Sequence, residues 1–151
     1  QGTLFFLSGE EFARTKDGQD NTFKAPITLN CLDWEKAWEN KKLVRYYQGL
    51  IALRKQLYGL CDKSKDSYKR ITDMWKEKDV IGFTVLNDKK ARWSQVKIIY
   101  NARKSSYKVK FLNDGWEILS DADDSWCWEK GICADRQIEA APQSVLILGR
   151  K

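Results

Sequence analysis

Acidic side chains are the first places where this chain could do chemistry. Two carboxylates a few ångströms apart can share the work of general acid and nucleophile, and the sequence places Glu10 beside Glu11 and gathers Asp121, Asp123 and Asp124. Neighbouring residues of an extended segment point to opposite sides, so Glu10 and Glu11 cannot flank one scissile bond. The three aspartates could ligate calcium, but they lack the glycine and distal glutamate of an EF-hand loop, which favours a solvated turn. We therefore expect no catalytic pair and no metal site in this chain.

Histidine is absent from the 151 residues, which removes Ser-His-Asp catalysis, Cys-His catalysis and histidine-ligated metals from what the chain could do alone. The cysteines at positions 31, 61, 127 and 133 are spaced too widely for paired zinc ligands. Gly131 lies between Cys127 and Cys133, so a loop could bring these two together as a possible disulfide, although reduced thiols are favoured. We predict no cofactor, and the cysteines leave open a secreted or a cytoplasmic location.

Charge and hydropathy limit the partners. The net charge is +6, from 27 basic and 21 acidic residues, but acids interrupt the basic residues throughout, as in the run 62–66, DKSKD. Nucleic-acid binding is therefore disfavoured against a surface of mixed charge. No run of about 18 apolar residues occurs, so we expect no membrane span.

The first elements to consider are a strand and a long connection. Thr3–Ser8 is a continuous apolar run with aromatic residues, stopped by Gly9, and it does not alternate apolar with polar positions. Such strands are typical of parallel sheets that are covered on both faces. Glu10–Asn30 has no sustained period and is predicted to be a long loop, a kind of segment that is often functional.

Helical periodicity follows the loop. Asp33 is a plausible N-cap for a helix, and the segment around Trp34–Glu39 could form a helical turn of its own. Apolar residues then recur at helical spacing over Leu43–Leu57, and Gly59 is a suitable terminator.

Beyond residue 62 the apolar period changes to that of strands. Turn clusters separate six short β-rich runs and a weaker seventh, and several of them alternate apolar with polar residues, which indicates an antiparallel sandwich. We predict two parts, 1–61 and 62–151, and an α+β fold class. The expected strands are Tyr68–Trp75, Val80–Leu86, Gln95–Tyr100, Tyr107–Leu112, Trp116–Leu119, Ser144–Leu148 and the weaker Gln137–Ala140.

The first third of the chain carries an ordered set of motifs. Residues 1–18 read QGTLFFLSGEEFARTKDG, residues 21–23 read NTF, residues 33–34 read DW, and residues 46–55 read YYQGLIALRK. This series resembles the end of the catalytic barrel in type I pullulanases, which are starch-debranching members of the α-amylase superfamily, glycoside hydrolase family 13. There the corresponding stretches read roughly QGxPFxxxGxEFxRTKxGxxNSYxxxDxxNxxDW and YxxGLIxLRK.

The resemblance implies an α+β piece of a larger enzyme: the last strand and helix of a (β/α)8 barrel, followed by a C-terminal antiparallel β-sandwich. It implies that the parent hydrolyses α-1,6-glucosidic linkages in pullulan and related α-glucans. In this family the catalytic carboxylates come from strands before the eighth, so the chain is expected to be a non-catalytic stabilising part. Its expected partners are the rest of the barrel and the α-glucan substrate of the parent.

Substrate contacts are expected on the loop after the eighth strand, because barrel active sites lie at the carboxyl ends of strands. The candidates are Glu11, Arg14, Asn21 and Phe23, since these side chains can bond sugar hydroxyls or stack on a pyranose. The alternative for Glu11 and Arg14 is that they only brace the loop, for instance as an ion pair.

Two further expectations concern apolar side chains. Trp126 and Trp128, with Trp93 and Trp116, could form a platform that makes the sandwich an independent glucan-binding module, although a place in the core is favoured. The segment Leu4–Leu7, without parallel neighbours, is expected to pair with another copy, fold back or be poorly ordered.

Overall fold

The computed structural model describes residues 3–110 and 114–151. It divides into two compact units, which we call the N-terminal unit, Leu4–Gln48, and the C-terminal unit, Gly49–Lys151. The division falls inside one helix, α3 Lys41–Gln56, so the boundary expected between residues 61 and 62 stays a prediction. We describe each unit by itself.

The N-terminal unit consists mainly of loop and short helices. Asp33 caps the helix α2 Trp34–Glu39, since its carboxylate accepts a hydrogen bond from the backbone N–H of Lys36 at 3.1 Å. This contact confirms the N-cap and the short turn that the sequence predicted. The elements are a 3-10 turn Glu10–Phe12, α1 Ile27–Asn30, α2 Trp34–Glu39 and the first part of α3 Lys41–Gln56.

The segment Thr3–Ser8 does not form the buried strand that its sequence predicted. Leu4 and Phe5 are 67% and 87% exposed, and no strand pairing involves this segment within the described residues. A strand of a parallel sheet needs neighbours on which to pair and apolar layers on both faces. Every strand ladder that the structure describes is antiparallel and lies beyond residue 70, so these neighbours are not provided there.

The C-terminal unit is built on antiparallel strands. Five of them form a sheet in the order β1-β2-β3-β7-β5, and β4 pairs with β6. The seven strands confirm the predicted β-rich region, although Phe111 and Leu112 of the predicted strand Tyr107–Leu112 lie outside the described residues. The strands are β1 Ile71–Glu77, β2 Val80–Leu86, β3 Gln95–Asn101, β4 Tyr107–Lys110, β5 Trp116–Ser120, β6 Gln137–Ala140 and β7 Ser144–Arg150; the helices are the end of α3, α4 Tyr58–Cys61 and α5 Cys127–Lys130, with a 3-10 turn Ser67–Arg70 before β1.

Both faces of the five-stranded sheet are covered. Because side chains alternate along a strand, Val96 and Ile98 of β3 face one way and Ile99 the other. The first face packs with Leu53 and Leu57 from the helical segment, and the second packs with residues of the β4–β6 pair such as Val109. The unit therefore has three layers and two apolar clusters.

Gly59 was expected to end the long helix, and this prediction is wrong. Helix α3 ends at Gln56, and Gly59 lies inside α4. Its backbone N–H donates to Asn87 Oδ1 at 2.8 Å, and a Cβ at this position would lie 2.5 Å from the carbonyl oxygen of Leu86. The glycine thus allows a close approach of helix and strand, rather than a left-handed cap.

Candidate functional site

The candidate site is the loop from Ser8 to Asn30, which we call the polar loop. It begins at Gly9, whose φ of +100° lies in the left-handed region that favours glycine. The backbone N–H of Gly9 donates to the carboxylate of Glu11 at 2.8 Å. Glu11 therefore braces the entrance of the loop.

Arg14 joins the two ends of the polar loop. Its Nη1 donates to the carbonyl oxygen of Ser8 at 3.0 Å, and its Nη2 donates to the carbonyl oxygen of Asn30. Within the described residues no ion pair joins Glu11 and Arg14. Glu11 and Arg14 therefore both brace the loop, which is the alternative that the sequence left open. They do so by hydrogen bonds to backbone groups and not by an ion pair with each other.

The middle of the polar loop is attached through Thr22, which is only 5% exposed. The side-chain amide of Asn30 donates to the carbonyl oxygen of Thr22 at 2.7 Å, and Lys16 Nζ donates to Thr22 Oγ1 at 2.6 Å. The sequence patterns indicated no role for Asn30. A buried threonine between two exposed residues has no periodic signal that could have revealed these contacts.

The two other candidates, Asn21 and Phe23, flank Thr22 and are exposed. Phe23 is 78% exposed, and Lys24 Nζ lies 5.3 Å from the centre of its ring. Asn21 Oδ1 accepts a long hydrogen bond, 3.5 Å, from the backbone N–H of Phe23. The structure therefore leaves an aromatic face and an amide accessible on the loop.

A groove of about 420 Å³ runs beside the polar loop. Of the four candidates only Arg14 lines it, and Glu11, Asn21 and Phe23 lie outside its lining. Phe12 and Trp34 form an aromatic pair on its wall, with ring centres 6.2 Å apart. The groove thus combines aromatic rings with charged groups, among them Asp17, Asp33 and Lys36.

The possible disulfide between Cys127 and Cys133 is not formed in the structure, where both are free thiols. Cys127 is buried at the start of α5 and its Sγ lies 3.3 Å from the carbonyl oxygen of Asp124, whereas Cys133 is exposed. Burial, together with the negative charges of Asp121 and Asp124, raises the pKa of Cys127 to about 11. Its thiol is therefore held protonated and unreactive near neutral pH.

The aspartate cluster forms a turn. The backbone N–H groups of Asp123 and Asp124 both donate to Asp121 Oδ1, at 2.9 and 2.8 Å, and Lys130 Nζ lies 2.5 Å from Asp124 Oδ2. In the ranges 3–110 and 114–151, no group of three or more acidic or cysteine residues is arranged to hold a metal ion.

The tryptophans that could form a platform are divided between core and surface. Trp93 and Trp116 are 0% and 5% exposed and belong to the two apolar clusters. Trp126 and Trp128 are half-buried and stack with ring centres 5.8 Å apart and an angle of 24°. The two rings therefore lie together at the start of α5, where Trp126 is the N-cap residue.

Among the described residues, no helix has both the length and the apolar character that crossing a bilayer requires.

Pullulanases are among the known proteins that match this chain. The pullulanase of Bacillus subtilis (strain 168) is 29% identical over 116 residues, which cover 76% of this chain and 16% of that protein. The crystal structure of a pullulanase from Anoxybacillus sp. LM18-11, complexed with maltotetraose, matches with a TM-score of 0.84 and 22% identity over 99% of this chain and 21% of that one. The type I pullulanase of B. subtilis str. 168, complexed with maltose, matches with a TM-score of 0.76 and 24% identity over 95% of this chain and 20% of that one. No family model matches.

The solved structures share the fold of this chain, a β-rich α+β fold, which confirms the predicted fold class. The sequence match and the shared fold make the chain a homologue of the C-terminal region of pullulanases, and they confirm the resemblance that the motifs indicated. The chain spans only about a fifth of the length of these two solved relatives, 21% and 20%.

Proposed function

We propose that this chain serves as the non-catalytic C-terminal part of a starch-debranching hydrolase that cleaves α-1,6-glucosidic linkages in pullulan and related α-glucans. The observation that carries this proposal is the match to pullulanase over 99% of the chain but only 21% of the relative. In glycoside hydrolysis two carboxyl groups flank the scissile bond. The resemblance assigns these groups to strands that precede the matched region.

Within such an enzyme we propose that Asn21 and Phe23 contact the α-glucan and that Glu11 and Arg14 shape the loop. The exposure of the Phe23 ring and the accessible Asn21 amide support this division. The backbone contacts of Glu11 and Arg14 support their bracing role. An aromatic face can stack on the apolar side of a pyranose, while an amide can exchange hydrogen bonds with its hydroxyls.

The partner that we propose for the exposed segment Leu4–Leu7 is the rest of the catalytic barrel. A strand bonded on both edges would bury these side chains, and burial of each large apolar side chain contributes roughly 1.5–3 kcal/mol. The C-terminal unit, with two apolar clusters of its own, would then act as the stabilising part.

The first test is an assay of the purified chain for hydrolysis of pullulan. We expect no release of reducing sugar, because the proposed role supplies no catalytic carboxylate pair. Hydrolysis that persists after further purification and is lost on Glu10→Gln or Asp121→Asn substitution would overturn the proposal.

The second test measures maltotetraose binding by NMR titration of the unsubstituted chain, Phe23→Ala and Trp128→Ala. Loss of binding in Phe23→Ala alone supports contacts from the polar loop. Loss in Trp128→Ala alone instead supports the alternative, an independent glucan-binding module, for which the stacked pair of Trp126 and Trp128 is the favourable observation.

A further inference from the structure

We infer that Arg14 and Asn30 are positioning residues, which together hold Asn21 and Phe23 in the orientation that meets an α-glucan. The inference rests on the proposed function and adds Asn30, for which the motifs gave no role. It follows from one connected series of hydrogen bonds that runs from the start of the polar loop to its end and back to its middle.

The first step is the closure of the loop by Arg14. One guanidinium donates to the carbonyl oxygens of Ser8 and Asn30, which lie at opposite ends of the loop. A planar guanidinium can serve two acceptors in a fixed geometry, and a lysine ammonium is a single flexible point charge. Gly9 is adapted to this arrangement, because a Cβ there would lie 2.5 Å from Arg14 Cδ.

The second step is the attachment of the middle of the loop to its closed end. Asn30, whose carbonyl oxygen accepts from Arg14, uses its side-chain amide to donate to the carbonyl oxygen of Thr22 at 2.7 Å. The same amide lies 3.4 Å from the carbonyl oxygen of Ala25. Asn30 therefore fixes the backbone on the carboxyl side of Thr22, while Lys16 holds the hydroxyl of that residue.

The third step connects these bonds to the proposed contacts. Thr22 is buried, and its sequence neighbours Asn21 and Phe23 are exposed. Since one peptide unit separates each neighbour from Thr22, a fixed Thr22 backbone restricts the directions in which both side chains point. Pre-organisation of this kind lowers the entropy that is lost when a ligand binds.

Arg14 itself is poorly suited to direct sugar contact. Its two terminal nitrogens donate to backbone carbonyls, and its Nε, which has no hydrogen-bond partner in the described part of the chain, is buried and so not accessible to a sugar. Arg14 is therefore a positioning residue, whereas Asn21 and Phe23 are the proposed ligand contacts. Substitutions of Arg14 or Asn30 can test positioning without removing either contact side chain.

The test uses the full chain with Asn30→Asp, Arg14→Lys and a matched control, Asn40→Asp. Asn30→Asp keeps the shape of the side chain but replaces the donor to Thr22 with an acceptor. Asn40 also donates its side-chain amide to a carbonyl oxygen, that of Lys36 at 2.9 Å, outside the polar loop. The control therefore removes an equivalent hydrogen bond without touching the proposed series.

The first measurement is the rate of tryptic cleavage after Lys24 in the native chain, which follows the population of the open loop when reclosing is fast. We expect cleavage to be roughly 3- to 10-fold faster in Asn30→Asp and Arg14→Lys, the range expected from the loss of a typical hydrogen bond. Asn40→Asp should leave the rate unchanged. Equal rates in all variants would overturn the inference.

The second measurement separates positioning from stability. Maltotetraose affinity, followed through the amide resonances of Asn21 and Phe23, should fall by a similar factor in Asn30→Asp, while the thermal midpoint of the C-terminal unit stays constant. An open loop with unchanged affinity would overturn the positioning role. If the unsubstituted chain binds no maltotetraose, the proposed glucan contacts are wrong, and the positioning role is wrong with them. The cleavage rates then report only on loop closure.

Discussion

The two units of this chain are stabilised in different ways. In the C-terminal unit, apolar clusters cover both faces of the central sheet, with Trp93, Ile99 and Leu148 fully buried. Among the described residues of the N-terminal unit, Phe12 is the one fully buried large apolar side chain, while Phe5 and Phe23 are largely exposed. Burial of apolar surface is the main source of folding free energy, so the C-terminal unit should dominate cooperative unfolding.

The N-terminal unit instead relies on hydrogen bonds from side chains to backbone groups. Each such bond contributes a net ~0.5–1.5 kcal/mol to folding stability. Bonds of this strength can fix the path of a loop, but they add little to the free energy of global unfolding. The comparison shows that two different sets of residues are at work: polar side chains order the loop of the N-terminal unit, and buried apolar side chains stabilise the fold of the C-terminal unit. Regions with few buried apolar contacts also open at lower free-energy cost.

The largest expected effect is the loss of Trp93. Its side chain is 0% exposed, and its Nε1 donates to Glu117 at 2.9 Å. Trp93→Ala should reduce the free energy of unfolding by roughly 3–5 kcal/mol, through lost burial and the cavity left behind. Urea denaturation, followed by circular dichroism, measures this loss of unfolding free energy. Trp38→Ala, at a position 72% exposed, is the control in the other unit and should cost under about 0.5 kcal/mol; similar losses in both variants would refute the contrast.

A smaller effect is expected at Gly49, where helix α3 approaches the turn before α5. A Cβ at this position would overlap Ser125 Oγ and lie 2.8 Å from Trp126 Nε1. Gly49→Ala should therefore destabilise the C-terminal unit by about 1–3 kcal/mol, although alanine is intrinsically better in a helix by roughly 1 kcal/mol. Thermal unfolding measures the shift. Adding Ser125→Gly should recover part of it, and a stabilising Gly49→Ala would show that the approach is looser than described.

A polar contact of the C-terminal unit provides the third test. The backbone N–H of Ser64 and the guanidinium of Arg70 lower the pKa of Asp62 from 3.8 to about 2. The charged form is thus favoured by folding, so Asp62 contributes stability above pH 4, and this contribution is lost as the pH falls towards 2. Asp62→Asn should lower the urea midpoint at pH 7 and differ less from the unsubstituted chain at pH 2.5. Asp66→Asn, which removes a solvent-exposed ion pair with Lys69, is the control and should show almost no such dependence.

The strands were the most predictable part of the chain, because their signal is local. Alternation and turn residues identified β2 at Val80–Leu86 and β6 at Gln137–Ala140 with the observed bounds. The same local reasoning failed for Thr3–Ser8. Its composition is that of a strand, but a strand needs pairing partners, and the described chain offers this segment none.

The candidate site was predictable as a region and not as a set of contacts. The motifs selected the polar loop, yet the bond from Arg14 to the carbonyl oxygen of Asn30 joins residues 16 positions apart in an aperiodic segment. Gly59 shows the same limit, since a glycine near a helix end predicts a cap, whereas this one permits contact with Leu86. Partners that are distant in sequence and have no periodic spacing cannot be inferred from one sequence.

The smallest expected effect concerns the exposed segment at the start of the N-terminal unit. Phe5 is 87% exposed, so Phe5→Ser removes almost no burial and should change the free energy of unfolding by less than about 0.5 kcal/mol. The same substitution should lower the binding of a fluorescent apolar dye and slow aggregation, since exposed apolar segments without strand partners promote association.

Phe12→Ser is the comparison within this unit, because Phe12 is 2% exposed and packs near Trp34. It should leave the urea transition of the C-terminal unit unchanged and accelerate tryptic cleavage of the polar loop. A Phe5→Ser variant as destabilised as Trp93→Ala would mean that the segment is buried in solution, and the contrast between the two units would then have to be withdrawn.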